Sequence, residues 1–322
     1  MNRDKYVLVL CALLGLTGEC VAQRKYNTRF IPYDLVTVGA GSSTYFGDLA
    51  SYKHPFKSLT TLPRWNIGLG YTRQFTPHFS ARVMFTWARI TGDDYTYSNG
   101  NLDKYSFQYA RNLHFRNDVK EVAIVGIYNF LADGINPYRR AKITPYIFGG
   151  LAVIGHDPEA RTPTATNGNN SEFVARQWVK LQPLHTEGQD QSETIQAYSR
   201  ISIAIPIGFG IRYKLNDSFN VGLDIGFRYT FTNYLDDVGG LYAGSGNMRG
   251  LTTLMADRRF EYDAARVNTS RYTAAQQLFQ DQPALFVTTE RSKNELGKDS
   301  YLLSNFSIQY VFPGRIKCPP IR

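Results

Sequence analysis

The chain has 322 residues, a formal net charge of +9 and an aromatic share of 14%. That length exceeds one small domain, and past the first 22 residues no apolar run is long enough for a membrane helix; this excludes a helical membrane protein but not a barrel, where only every second residue meets lipid. The basic residues are scattered with no dense arm, which favours anionic lipid headgroups or acidic partner surfaces over nucleic acid.

The chain opens Met1-Asn2-Arg3-Asp4-Lys5, continues with a nearly all-apolar stretch from Tyr6 to Leu16, and reaches Cys20-Val21-Ala22. A basic start, a short apolar stretch and small residues describe a secretory signal peptide over residues 1–22, with cleavage expected after Ala22. Lipidation at Cys20 is disfavoured because Glu19 stands where a small residue is needed. Cys11 and Cys20 leave with the signal, so Cys318 is left as a free thiol or as a bond to another chain.

Residues 23–33 read as a short periplasmic segment, and eight strands are expected between 34 and 312. The first runs from about Asp34 to Leu49 and the second from Trp65 to Phe75. After the tight link Thr76-Pro77-His78, the third places Phe79, Ala81, Val83, Phe85 and Trp87 on one face and Arg82 on the other. The fourth, about Val119 to Phe130, turns Val122, Ile124, Tyr128 and Phe130 outward and Glu121 inward. The fifth, Ile143 to Gly155, is apolar on both sides, and its faces cannot be assigned from the sequence. The sixth and seventh carry the cleanest signal: from Ile201 to Tyr213 and from Phe219 to Phe231, every odd position is Ile, Phe, Val, Leu or Tyr. Period two places those side chains on one face and Arg212, Asp224 and Arg228 on the other. The eighth runs from about Tyr301 to Phe312, and residues 313–322 follow as a tail.

Links after the second, fourth and sixth strands are short, while the last two odd-numbered links span about 156–199 and 235–300. Short turns on one side and long loops on the other describe an eight-stranded antiparallel transmembrane barrel with periplasmic turns, extracellular loops and both termini in the periplasm. A soluble lipocalin-like barrel is the alternative; it would expose a face of Gly and Ala with few charges.

Arg82, Glu121, Arg212, Asp224 and Arg228 then share a narrow lumen and must pair as a structural network. Conduction is the sharper alternative, but eight strands leave little room for water. No metal spacing appears among His54, His78, His114, His156 and His185. The neighbours Asp93-Asp94 and Asp236-Asp237 point oppositely if extended, so neither makes an acid–base dyad; no ligand ladder supports a calcium loop, and the sequence leaves open whether Asp236 and Asp237 hold an ion or cap a loop. Gly39-Ala40-Gly41 lacks the helix and third glycine of a nucleotide loop. His156 and Ser199 lack any motif of a rim hydrolase, so no catalytic residue, metal or cofactor is expected.

Several segments, taken in order, resemble the PorG family of outer-membrane barrel components of the type IX secretion system in Bacteroidetes-type envelopes. These are Gly41 to Leu49, Arg111 to Phe115 followed by Glu121, Thr144 to Gly150, and Pro183 to Gln189. Tyr234-Leu235-Asp236-Asp237-Val238 and Lys317-Cys318-Pro319 complete the set. The resemblance implies a non-enzymatic role in anchoring or assembling a periplasmic ring of a PorK-like lipoprotein and a PorN-like partner. In that setting Cys318, flanked by Lys317 and Pro319, is a candidate for an intermolecular disulfide to a ring subunit. A stand-alone OmpA-like adhesin or structural barrel working through its outer loops is the alternative, with a narrow porin third.

Overall fold

A computed structural model describes residues 30–133, 138–164, 173–189, 196–243, 250–267, 269–293 and 297–312. The expected signal segment and the tail with Lys317, Cys318 and Pro319 lie outside the described residues. Ten strands form in chain order. They are β1 (Tyr33–Phe46), β2 (Arg64–Gln74), β3 (Phe79–Asp93), β4 (His114–Asn129), β5 (Ile143–Gly155), β6 (Glu159–Arg161), β7 (Trp178–Lys180), β8 (Ile201–Lys214), β9 (Phe219–Thr230) and β10 (Ser300–Phe312). Six helices lie in the long links: α1 (Pro55–Thr61), α2 (Asp94–Ser98), α3 (Leu102–Arg111), α4 (Leu251–Ala256), α5 (Tyr272–Asp281) and α6 (Ala284–Val287).

Eight of the strands close on themselves. The order β3-β2-β1-β10-β9-β8-β5-β4 is completed by a β3–β4 pairing, and every pairing is antiparallel. First and last strands meet along their full length, from Asp34↔Phe312 to Phe46↔Ser300. Closure leaves no barrel edge exposed. The small β6–β7 hairpin attaches to the upper end of β4 through Arg116↔Glu159.

Outward positions are apolar around the whole circumference. Ile124 is 62% exposed, Leu151 63% and Ile207 61%. Aromatic residues bound this belt at both ends: Tyr71, Phe79, Tyr128, Phe219 and Tyr310 near the short turns, and Trp65, Trp87 and Tyr229 near the long links. Along β3 the outward row from Phe79 to Trp87 spans about 26 Å of strand, or roughly 20 Å along the axis at the usual tilt. The fifth strand, unassigned from sequence, turns Ile147, Leu151 and Val153 outward and Tyr146, Phe148, Ala152 and Ile154 inward.

The ends of the strands differ from the expectations in two places. β1 stops at Phe46, where a tight Gly47↔Ala50 bridge turns the chain, rather than reaching Leu49. β4 begins at His114, five residues before the expected start at Val119, and β3 continues to Asp93. Above the belt the outward positions become charged (Arg89, Arg116, Asp118), so strand continues after the apolar alternation ends.

Candidate functional site

The lumen is filled in layers. Nearest the short turns, Arg212 reaches Asp133 at 3.4 Å, and Tyr33 donates to the same carboxylate. Above it Arg82 pairs with Asp224 at 3.1 Å, and Tyr146 donates its hydroxyl to Asp224. Phe148 then lies in a notch made by the facing Gly208 and Gly226, where a Cβ would approach its ring to 2.5 and 2.7 Å. In the next layer Arg228 meets Glu121 at 3.3 Å and Tyr301 donates to Glu121 at 2.5 Å. All five residues expected in the interior network are buried and each has an ionic partner, though Arg212 is paired with Asp133 rather than with a residue of that set. Sequence reasoning missed Asp133 because it lies in the link after β4, where strand alternation no longer marks direction.

The long links fold into a cap over this column. Asn101 caps α3, its side chain accepting from the Lys104 amide at 3.0 Å, and Asn112 ends the helix in the left-handed region. The helix delivers Arg111, which grips Asp94 with two bonds of 2.8 Å and donates to the carbonyls of Asp48 and Arg291 at 2.8 and 2.9 Å. Arg291 in turn donates to Glu187 at 3.0 Å and to the Asp237 carbonyl at 2.6 Å. Two buried guanidinium groups thus tie four separate links together.

The motif Tyr234-Leu235-Asp236-Asp237 lies in the middle of this cap, and its two carboxylates serve different networks. Asp237, at φ 68°, accepts from Tyr198 at 2.7 Å and from Thr186. Tyr234 stacks on Tyr198 at 4.5 Å, and His156 stacks on the other face of Tyr198 at 6.2 Å. Asp236 instead points at the lumen, where the Tyr45 hydroxyl lies 2.6 Å from it and 2.8 Å from Asp299. Leu235 donates its amide to Asp299 at 2.9 Å.

Asp48, Asp236 and Asp299 bring carboxylate oxygens within 4.8 Å of one another, the one group among the described residues spaced to hold a metal ion. The sequence names no metal ligand because no histidine spacing or calcium ladder marks one, and leaves open whether Asp236 and Asp237 hold an ion; the fold groups Asp236 with Asp48 and Asp299 instead of with Asp237. The Tyr45 hydroxyl has a single hydrogen, yet it contacts two carboxyl groups and also accepts from the Asp48 amide at 3.0 Å. One of the two contacts must therefore be donated by a carboxyl, and the trio holds at least one proton. Electrostatics agrees. Burial, with the neighbouring carboxylates adding to it, pushes Asp236 and Asp299 well above the ordinary carboxylate range, and burial raises Asp48. Asp237 is raised by burial to about 6 despite the opposing Arg291 charge.

Other candidates are dispersed. Asp93 holds Arg266 at 2.8 Å while Asp94 holds Arg111, so that pair also divides between two networks. Asp94 begins a helix and Asp236-Asp237 lie in an irregular segment, which corrects the picture of adjacent carboxylates alternating along a strand. Ser199 donates to the Ile201 carbonyl rather than to His156, whose ring nitrogens have no partner among the described residues. Burial lowers His156 to about 4. The two do not form a nucleophile–base pair.

An apolar outer wall, a lumen carrying paired charges and a folded cap on the long-link side define a membrane-type eight-stranded β-barrel. The chain belongs to the family described as a domain of unknown function, DUF6089, whose model matches residues 26–176 and 185–248. No curated protein matches it. Among solved structures it is similar to Ail, the attachment invasion locus protein of Yersinia pestis, at 10% identity and a TM-score of 0.34, covering 88% of this chain and 100% of that one. Neisserial surface protein A is similar at 13% identity and a TM-score of 0.33, covering 87% and 97%. The outer membrane protein OprG from Pseudomonas aeruginosa follows at 9% and 0.32, covering 88% and 97%.

Proposed function

We propose that the protein sits in the outer membrane as a non-conducting, non-catalytic barrel that anchors or assembles the periplasmic ring of a type IX secretion machine. The observation that carries the non-conducting part is the filled lumen, where three Arg–carboxylate layers and Phe148 occupy the axis. A barrel with such an interior acts through its surfaces: the short-turn end toward the periplasm, the cap toward the outside and the wall in lipid. The type IX role itself is supported by the PorG resemblance. Its quoted segments supply the cap contacts: Asp48, Arg111, Thr186, Glu187, Asp236 and Asp237 all meet there. On this reading the ring contacts are made by a PorK-like lipoprotein and a PorN-like protein at the periplasmic end, with Cys318 available for a disulfide to one of them.

A stand-alone adhesin barrel is the second reading. The folded cap favours it, since α5 and α6 present Phe279 and Val287 on an exposed surface together with Phe260. Deletion separates the two. Loss of export of proteins with a C-terminal signal domain supports the type IX role. Normal export, with loss of surface attachment after trimming residues 257–293, supports the adhesin.

A further inference from the structure

The charges that look scattered in the sequence gather into one row in the fold. The row begins on the outer wall over β2, β3 and β4, immediately above the edge-on tryptophan pair Trp65 and Trp87, whose ring centroids are 5.3 Å apart, and continues onto the β6–β7 hairpin. Lys120 stands opposite Trp87 in the β3–β4 ladder. Arg89 follows two residues beyond Trp87 and lies 5.5 Å from the Trp65 ring. Arg64, at the start of β2, is within electrostatic reach of Arg89 and Arg266. Further along, Arg116 covers the Trp178 ring at 4.0 Å, and Arg161 approaches the same ring at 5.2 Å. Arg176 closes the row. Burial first, and then the Arg161 and Arg258 charges, hold its guanidinium below the ordinary value.

Three of these cations have a carboxylate partner: Arg89 with Asp118 at 2.6 Å, Arg116 with Glu159 at 2.7 Å and Arg266 with Asp93 at 2.8 Å. Arg176 is occupied, donating to the Ala265 and Arg266 carbonyls at 2.8 and 2.6 Å, and Arg161 gives one nitrogen to the Arg266 carbonyl at 3.3 Å, whereas Arg64 and Lys120 have no carboxylate within ion-pair distance among the described residues. Like charges at this spacing repel, and anions from outside the chain would relieve that repulsion at Arg64 and Lys120. Its height limits what those anions are. Arg89 and Arg116 lie about 7 and 13 Å along their strands beyond Trp87 and Lys120, or roughly 5 and 10 Å along the axis. That is the depth of a headgroup layer, beyond the acyl chains and below the top of the cap. Arginine beside an interfacial tryptophan suits a phosphate, which accepts paired N–H donors.

We propose that this wall is a binding surface for the phosphates of an anionic lipid headgroup in the membrane leaflet on the long-link side. The inference rests on the membrane-spanning reading of the barrel and goes beyond it by naming a ligand class and its residues. It assigns to Arg64, Lys120 and Arg161 the role of phosphate partners, with Trp65 and Trp87 seating the sugar or glycerol beneath.

The test is lipid retention by the full chain purified from outer membranes in mild detergent and read by native mass spectrometry. Wild type and the triple variant Arg64→Gln, Lys120→Gln, Arg161→Gln are each offered bisphosphorylated lipid A, the same lipid with its phosphates removed, and inorganic phosphate. The heat-shifted gel band confirms folding, and the double variant Arg64→Gln, Lys120→Gln replaces the triple if the latter does not fold. Wild type is expected to retain the phosphorylated lipid at least tenfold better than the dephosphorylated one, and the variant to lose that preference. Equal retention of both lipids, or an unchanged preference in the variant, overturns the proposal. Displacement of the lipid by millimolar inorganic phosphate would show a small-anion site, and capture of an acidic protein in its place a protein site; either also overturns it. A wild-type chain that never enters the membrane fraction overturns the membrane reading together with this one.

Discussion

The lumen and the cap hold their buried charges in opposite ways. In the lumen Arg82, Arg212 and Arg228 face Asp224, Asp133 and Glu121, with Arg140 as a further buried cation within electrostatic reach of Asp133, so no carboxylate lacks a cation. In the cap Arg111 pairs with Asp48 and Asp94 and Arg291 with Glu187 and Asp237, while Asp236 and Asp299 meet each other and Asp48 around the Tyr45 hydroxyl. A surplus of buried carboxyls stays folded only by holding protons, because an unpaired buried charge is expensive. The cap, with its cluster of raised carboxyls, is the part of the molecule whose stability is expected to move with pH.

The largest expected effect comes from unbalancing the plug. Arg82→Ala strands Asp224 in the lumen and should destabilise the barrel by about 3–5 kcal/mol. The temperature at which the folded band is lost on a denaturing gel measures this, and an unchanged temperature would show that the layer is hydrated rather than sealed. Arg111→Ala should cost a similar amount, about 3 kcal/mol, but locally: it frees Asp94 and two link carbonyls. Limited proteolysis should then cut within residues 257–293 while the barrel core survives. Loss of the barrel along with the cap would mean that the two regions are one cooperative unit.

His156 makes the pH contrast sharper. Its folded pKa of about 4 lies below the ordinary value of 6.5, so the unfolded state takes up a proton first as pH falls. Stability from this residue is present above pH 6.5 and is lost between there and pH 4, by an amount of order 3 kcal/mol. Asp237 works the other way, because its folded pKa is raised: its contribution is full below the unfolded value and lost as pH rises through about 6. The two offset each other in the wild type. His156→Phe, which keeps the stack on Tyr198, should make the cap more resistant to protease on acidification than the wild type, and an identical acid profile would contradict the assignment. The smallest effect belongs to the outer wall near the short turns. Arg73→Gln breaks the part-exposed pair with Asp34 at 2.8 Å and should change stability by about 1 kcal/mol or less.

The barrel was legible because lipid on one side and a packed lumen on the other impose period two. The odd positions from Ile201 to Tyr213 could hardly read otherwise. β5 was opaque for a physical reason: Phe148, Ala152 and Ile154 fill the lumen with apolar atoms, so both faces look alike. The interior charges could be named one at a time from their faces, but their pairing could not, since Arg82 and Asp224 sit 142 residues apart in the chain. The cap was the least legible. In α3, Tyr105, Phe107 and Tyr109 alternate as a strand would, while the caps Asn101 and Asn112 were the available signal for a helix. The acidic trio was out of reach, because Asp48 comes from the first link and Asp236 and Asp299 from opposite ends of the last, and they meet only when the barrel closes β1 against β10.

The central functional claim is an anchoring partnership at the periplasmic end, and affinity purification of the tagged full chain from detergent-solubilised outer membranes, with and without reductant, tests it most directly. The account predicts that a ring lipoprotein and its partner co-purify, with a mixed-disulfide band through Cys318 that collapses on reduction. Ring partners without that band would retain the role and discard the disulfide. A clean monomer under both conditions would contradict the account and leave the adhesin barrel in its place.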